Sequence, residues 1–222
     1  MLLYNHLSDI AKQDGRILDV GCKDGRHLTA IESDVVALDI EIKPNHPQLM
    51  YVVGDGCQLP FRDNAFDFVL SNQVLEHIPT DMKKCFCTEI ARVLKSGGQA
   101  FISFPNRFWP GNPHFLPAFF PLLPRNLALI ISKVALSWEQ HRYYRNKVFH
   151  LSPIKARQLL SSQFETVEYV TLDALEETNE LSPPWQSIRR LKQIVNPLFS
   201  VPGIEPLVEL MFPYAMYKCS NI

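Results

Sequence analysis

Five short apolar runs punctuate the first half of the chain: RILDV (16–20), DVVALDI (34–40), LMYVVGD (49–55), FDFVLSN (66–72) and QAFISF (99–104). Each has the length of a buried strand and falls short of a helix. The residues from about Gly25 to Ser33 read as a helix after the first run. TDMKKCFCTEIARVLK (80–95) sets Met82, Cys85, Phe86, Ile90, Val93 and Leu94 near helical spacing before the fifth. Thr80 is the expected N-cap of that helix and Gly97 its stop. Strands alternating with helices restrict the chain to right-handed crossovers and a mostly parallel sheet.

The second half reads less regularly. From Pro105 to His150 the periodicity gives way to prolines, aromatics and histidines. An irregular stretch of that length after a strand end is expected to form a lid. Order returns at SPIKARQLLSSQF, where Ser152 can cap a helix and Pro153 can occupy its first turn. ETVEYVTL (165–172) then reads as a sixth strand and YAMYKC (214–219) as a seventh. An apolar helical segment over 173–213, containing the amphipathic WQSIRRLKQIV, is inserted between them.

A length of 222 residues suits one decorated α/β domain, and an apolar fraction of 46% is enough for its core. A formal net charge of -1 provides no electrostatic case for binding nucleic acid. The five cysteines show no zinc-like or CxxC spacing, so reduced thiols and a cytoplasmic setting are expected. The opening MLLYNHLSDIAKQDG has no long apolar run after a basic region, and no secretory leader is expected. The most apolar stretch is broken by Pro110, Pro113, Pro117, Pro121 and Pro124, which denies it a continuous membrane span.

Three successive strands end near an acid: Asp19, Asp39 and Asp55. Open parallel sheets bind ligands outside the carboxyl ends of their strands, so these three are expected to line one crevice. Asp39 follows Asp19 by 20 residues, the place of a ribose-binding acid in a nucleotide-binding unit. Only Gly21 and Gly25 remain of a G-x-G-x-x-G fingerprint, and three acids make a poor pyrophosphate cradle. The expected ligand therefore carries a ribose and a positive or neutral tail, which disfavours a nicotinamide dinucleotide and a dehydrogenase.

ILDVGCKDG, VVALDI, GDGCQLPFRDNAFDFVLSNQVLEHI and VLKSGGQAFISFPN, in this order over residues 16–106, resemble the class I S-adenosylmethionine-dependent methyltransferases, most closely the type 11 group. The resemblance implies a Rossmann-like seven-stranded, mostly parallel sheet with its last strand antiparallel and helices on both faces. A single domain over 1–222 follows, with a cofactor-binding half at 16–104, a lid insertion after strand five at 105–150 and the rest of the sheet at 151–222. It implies S-adenosylmethionine as cofactor. Gly21 would admit the methionine part, Asp19 orient its amino group and Asn72 offer that amine a carbonyl. Asp39 would take the ribose hydroxyls, and Asp55 with Gly56 would read the adenine edge. Cys22, Gly25 and Ile40 complete the cofactor-binding set. Lys23 stands where relatives often have glycine. It is expected to hold an ordinary backbone conformation with its ammonium in solvent, the alternative being a lysine that closes the methionine pocket.

Methyl transfer to an oxygen needs a base, and His77 in VLEHI follows a strand beside the cofactor site. A purely structural histidine is the competing reading. Gln73 replaces the first acid of the E-x-x-E-H pattern with which some quinone-pathway O-methyltransferases place a metal, so no metal is expected. The insertion offers Asn106, Arg107, Trp109, His114, His141, Tyr143 and His150, of which His114 or His141 is the second candidate base or anchor. Its aromatics, with NPLFSVPGIEPLVELMFPYAM, can wall a hydrophobic pocket or pack as ordinary core. The expected activity is methyl transfer to a small acceptor, hydrophobic or lipid-linked, by a monomer or homodimer with no transmembrane segment; peripheral membrane contact is compatible with the apolar runs and with IRRLKQ. The rival from another class is a non-catalytic cofactor-binding sensor or partner subunit.

Overall fold

The computed structural model describes residues 15–25, 28, 31, 34–109, 120–171, 209–210, 212 and 214–221. Seven strands form one sheet: β1 (Arg16–Val20), β2 (Asp34–Asp39), β3 (Met50–Val53), β4 (Phe66–Asn72), β5 (Leu94–Pro105), β6 (Thr166–Tyr169) and β7 (Tyr214–Ser220). Their order is β3-β2-β1-β4-β5-β7-β6, parallel except that β7 runs antiparallel to both its neighbours. β1 sits inside the sheet, between β2 and β4, where a strand that is nearly all apolar has both faces covered. Leu18 and Val20 join one core cluster and Ile17 the other, as the alternation of a strand requires.

The described helices are α1 (Lys83–Val93), α2 (Arg125–Ala135), α3 (Trp138–Lys147) and α4 (Pro153–Leu160). α1 contributes Phe86, Ile90 and Val93, and α4 Ala156 and Leu160, to the cluster on the face of Leu18 and Val20. Most of the helix expected from Gly25 to Ser33 lies outside the described residues. Within that stretch, Leu28 and Ile31 donate to carbonyls three residues back, a 3₁₀ pattern. Much of the segment expected at 173–213 also lies outside them.

α1 corrects two sequence expectations. It starts after Met82 rather than at Thr80, entered by a turn in which Met82 and Lys83 both donate to the Pro79 carbonyl. It ends at Val93 without a glycine stop, because Leu94 is drawn into the sheet opposite Phe66. Gly97 lies instead inside β5, at φ 74, between the Phe66–Leu94 and Phe68–Gln99 pairs where the register slips. Its N–H donates to the Asn221 carbonyl.

The described part of 105–150 is helical rather than irregular, with α2 and α3 forming a hairpin. Phe120, Ala128, Tyr144 and Val148 form its own small core. Ser137 starts α3 through a capping box: its hydroxyl accepts from the Gln140 amide, and the Gln140 side chain accepts from the Ser137 amide. The Arg125 guanidinium donates to the Val148 and Arg145 carbonyls and lies 4.3 Å over the Phe149 ring, which holds the hairpin closed.

Candidate functional site

The carboxyl ends of β1, β2, β3 and β4 open onto a crevice of about 740 Å³, inside the range usual for small-molecule sites. The backbone that shapes it is stitched rather than free. Gly21 and Cys22 donate to the Leu38 carbonyl at 2.7 and 3.1 Å, and Gly54 to the Asp39 carbonyl at 3.0 Å. Six of the nine expected cofactor-binding residues line it: Gly21, Asp39, Ile40, Asp55, Gly56 and Asn72.

Asp39 is the polar centre of this arrangement. Its two oxygens accept the Lys23 amide at 2.8 Å and the Glu41 amide at 3.1 Å. A carboxylate has about four lone-pair sites, so a further acceptor position stays on each oxygen. Asp55 binds the Cys57 amide at 2.8 Å, and Asn72 accepts the Ser103 hydroxyl at 2.6 Å. Around these stand Val20, Leu38, Val74, Ile78 and Phe86. Ile40 lines the mouth with 72% of its surface exposed. Carboxylates beside an apolar slot suit a ribose with a flat heterocycle and fit a phosphate chain poorly.

Three expected residues do not line the crevice. Asp19 is 1% exposed; strand alternation points it away from the face on which its neighbour Val20 meets the crevice. Cys22 is fully buried in the opposite core cluster, and burial together with Asp19 and Asp39 pushes its thiol up to about 12. Gly25, at φ 68, packs the loop onto β3: a Cβ there would stand 2.6 Å from the Tyr51 hydroxyl, which itself donates to the Asp24 carbonyl.

Lys23 does not hold an ordinary conformation. Its φ is 56, in the left-handed region where glycine is at ease, with its amide tied to Asp39 and its side chain exposed at the crevice. Gln73, also lining the crevice, is at φ 59. Non-glycine residues in this region cluster where a surrounding framework over-determines them, as here. Substituting Lys23→Gly removes a left-handed cost of about 1–2 kcal/mol and adds unfolded-chain entropy of about 0.4–1 kcal/mol. Urea unfolding is expected to show a net gain of about 0.5–1 kcal/mol; a loss would mean that the lysine side chain makes a contact that matters.

The histidines separate. His77 lines the crevice, beside Lys147 at the end of α3. Its Nδ1 lies 2.5 Å from the Lys147 carbonyl, and since a carbonyl only accepts, Nδ1 carries the proton. In the neutral ring Nε2 then keeps its lone pair, 4.0 Å from Oε1 of Glu76. Burial holds the His77 imidazole below its usual range. Glu76 is buried, and desolvation pushes its carboxyl up to about 8; Lys83, which donates to the Leu75 carbonyl, is pulled down to about 8 by the same cause. His141 is not brought to the crevice: buried between α2 and α3, it bonds the Ser132 hydroxyl at 2.7 Å. His114 lies outside the described residues.

Asn106 and Arg107 are tethers. The Asn106 amide donates to the Glu209, Leu210 and Phe212 carbonyls, and Arg107 to those of Pro121 and Leu123. Among the described residues no group of three or more His, Cys, Asp or Glu is placed to hold a metal ion.

Residues 18–102 match the family model Methyltransf_11, described as a methyltransferase domain. Over 101 residues the chain is 37% identical to the biotin biosynthesis bifunctional protein BioHC of Cellvibrio japonicus, covering 40% of this chain and 19% of that one. Over 106 residues it is 29% identical to a probable S-adenosylmethionine-dependent methyltransferase, Rv3030, of Mycobacterium tuberculosis, covering 43% and 38%. The chain thus spans less than two fifths of the length of these curated relatives. In fold it is similar to phosphoethanolamine N-methyltransferase 2 of Haemonchus contortus, solved with S-adenosyl-L-methionine: TM-score 0.57 at 14% identity, covering 99% of this chain and 52% of that one. Residues 18–102 are thus similar to a methyltransferase domain, and the seven-stranded sheet shares the fold of that solved enzyme.

Proposed function

We propose that the chain is an S-adenosylmethionine-dependent methyltransferase, which binds the cofactor in the crevice and transfers its methyl group to a small acceptor, hydrophobic or lipid-linked, in a cytoplasmic setting. The observation that carries the reading is the convergence of Gly21, Asp39, Ile40, Asp55, Gly56 and Asn72 on one opening at the strand ends. Asp39 would hold the ribose, Asp55 and Gly56 the adenine edge, and Gly21 and Asn72 the methionine part. The bound cofactor supplies an electrophilic methyl on a sulfonium, which leaves position and proton transfer to the protein. Five free cysteines support a reducing compartment.

The deciding experiment is parallel calorimetric titration with S-adenosylmethionine, S-adenosylhomocysteine and NAD. Micromolar binding of the two sulfur compounds and none of NAD is the expected result; the reverse pattern sinks the reading. Transfer of labelled methyl to a lipid extract, with tRNA as the contrasting acceptor, then separates the acceptor classes.

His77 is the base: Nε2 takes the acceptor's proton while Nδ1–H stays on the Lys147 carbonyl. Its depressed range keeps it neutral near pH 7, so turnover is expected to hold at neutral pH and fall as acid protonates Nε2. His77→Gln should lower turnover by about 10²–10⁴-fold and leave S-adenosylhomocysteine affinity unchanged. Full turnover in that variant would reduce His77 to a strut between the loop after β4 and α3.

A further inference from the structure

Helix α2 is amphipathic the wrong way round for a helix that packs on its own protein. The residues it buries are small, Ala128 and Ser132. Leu127, Ile130, Ile131 and Val134, spaced i, i+3, i+4 and i+7, form one apolar stripe and are exposed, Ile130 by 67% and Val134 by 88%. Trp138, at the start of α3, is 72% exposed. A surface stripe of this kind marks an interaction face.

Charge identifies the occupant. Between Phe120 and His150 there are five cationic side chains, Arg125, Lys133, Arg142, Arg145 and Lys147, against a single acid, Glu139. This is a local excess of four positive charges on a chain whose formal net charge is -1. Among the described residues no acid pairs with Lys133, Arg142, Arg145 or Lys147. A twofold contact between copies would set this excess against itself, whereas an anionic lipid surface accepts both the cations and the apolar stripe. Eleven helical residues extend roughly 16 Å, about half the hydrocarbon thickness, and no helix among the described residues is long and apolar enough to cross a membrane. An apolar stripe, an exposed tryptophan and flanking cations are what a helix lying in the interface presents.

We infer that the α2–α3 hairpin docks the protein on anionic membrane, with Leu127, Ile130, Ile131, Val134 and Trp138 entering the headgroup boundary. Lys147, which ends α3, also lines the crevice. Docking therefore sets the crevice mouth beside the bilayer, and on the methyltransferase reading, on which this consequence rests, the acceptor arrives from the lipid phase.

The test is flotation of the full chain with phosphatidylcholine vesicles and with vesicles containing roughly one third phosphatidylglycerol. Binding is expected to the anionic vesicles alone, and to weaken about tenfold or more in Ile130→Asp/Val134→Asp and at high salt. Both substituted positions are exposed, so the melting temperature and S-adenosylhomocysteine titration should stay at parental values. Failure of the parent to bind either vesicle, or equal binding by the double variant, overturns the inference. So does a parental dimer, seen by ultracentrifugation, that the same substitutions dissociate without any vesicle binding. Vesicle binding by a chain that takes no sulfur cofactor would instead leave docking intact and remove the methyltransferase reading.

Discussion

Asp39→Ala is expected to lower the affinity for S-adenosylmethionine and S-adenosylhomocysteine by about a hundredfold or more. Hydrogen bonds to a charged acceptor contribute about 1.5–3 kcal/mol each, and two ribose hydroxyls on one carboxylate correspond to at least two powers of ten. Alanine also releases the Lys23 and Glu41 amides that Asp39 holds at 2.8 and 3.1 Å, so the loop after β1 loses its anchor to β2. Asp39→Asn separates the two contributions: it keeps one acceptor oxygen and the side-chain shape but no charge, and should fall between parent and alanine. Calorimetric titration of all three proteins at one pH and ionic strength gives the comparison. Parental affinity in the alanine variant would move the ribose site away from the end of β2.

The strands were legible wherever both faces of the sheet are covered. RILDV and FDFVLSN are β1 and β4 to the residue, because an apolar run bounded by loop residues has few other ways to be buried. Of the three acids at strand ends, Asp39 and Asp55 line the crevice, as does Asn72 at the end of β4. Asp19 does not line it, because lying near a strand end does not say on which face a side chain points; Val20, one position on, is the residue that reaches the opening. Gly25 is needed for the close approach of Tyr51, a contact across 26 positions that local pattern does not carry. Lys23 hid its left-handed backbone because the sequence holds no mark of the Asp39 carboxylate that fixes its amide. The hairpin was missed for a different reason. The prolines that mask it all precede Arg125; the capping box at Ser137 and Gln140 is written in SWEQ, and the i, i+3, i+4, i+7 stripe in LALIISKV. Both signals are local, and both were outweighed by composition.

Gly21→Ala should be the most damaging small substitution in the crevice, and its effect can be divided. At φ 88 an alanine bears the left-handed cost, about 1–2 kcal/mol. The new Cβ would also stand 2.2 Å from Cγ2 of Val74, a contact that forces either β1's loop or the Val74 turn to move. Overpacking of this kind costs a further 1–3 kcal/mol or so, for a combined loss of about 3 kcal/mol, a large part of the roughly 5–15 kcal/mol that holds a domain folded. Gly97 provides the control. It has φ 74 but nothing within 4 Å of the position its Cβ would take, so Gly97→Ala carries the backbone cost alone. Urea unfolding should therefore place Gly97→Ala about 1 kcal/mol below the parent and Gly21→Ala about 3 kcal/mol below it. Because Val74 lines the crevice, only Gly21→Ala should also lose cofactor affinity. Equal destabilisation of the two variants would mean that Val74 yields without cost, and that glycine stands at position 21 for its backbone alone.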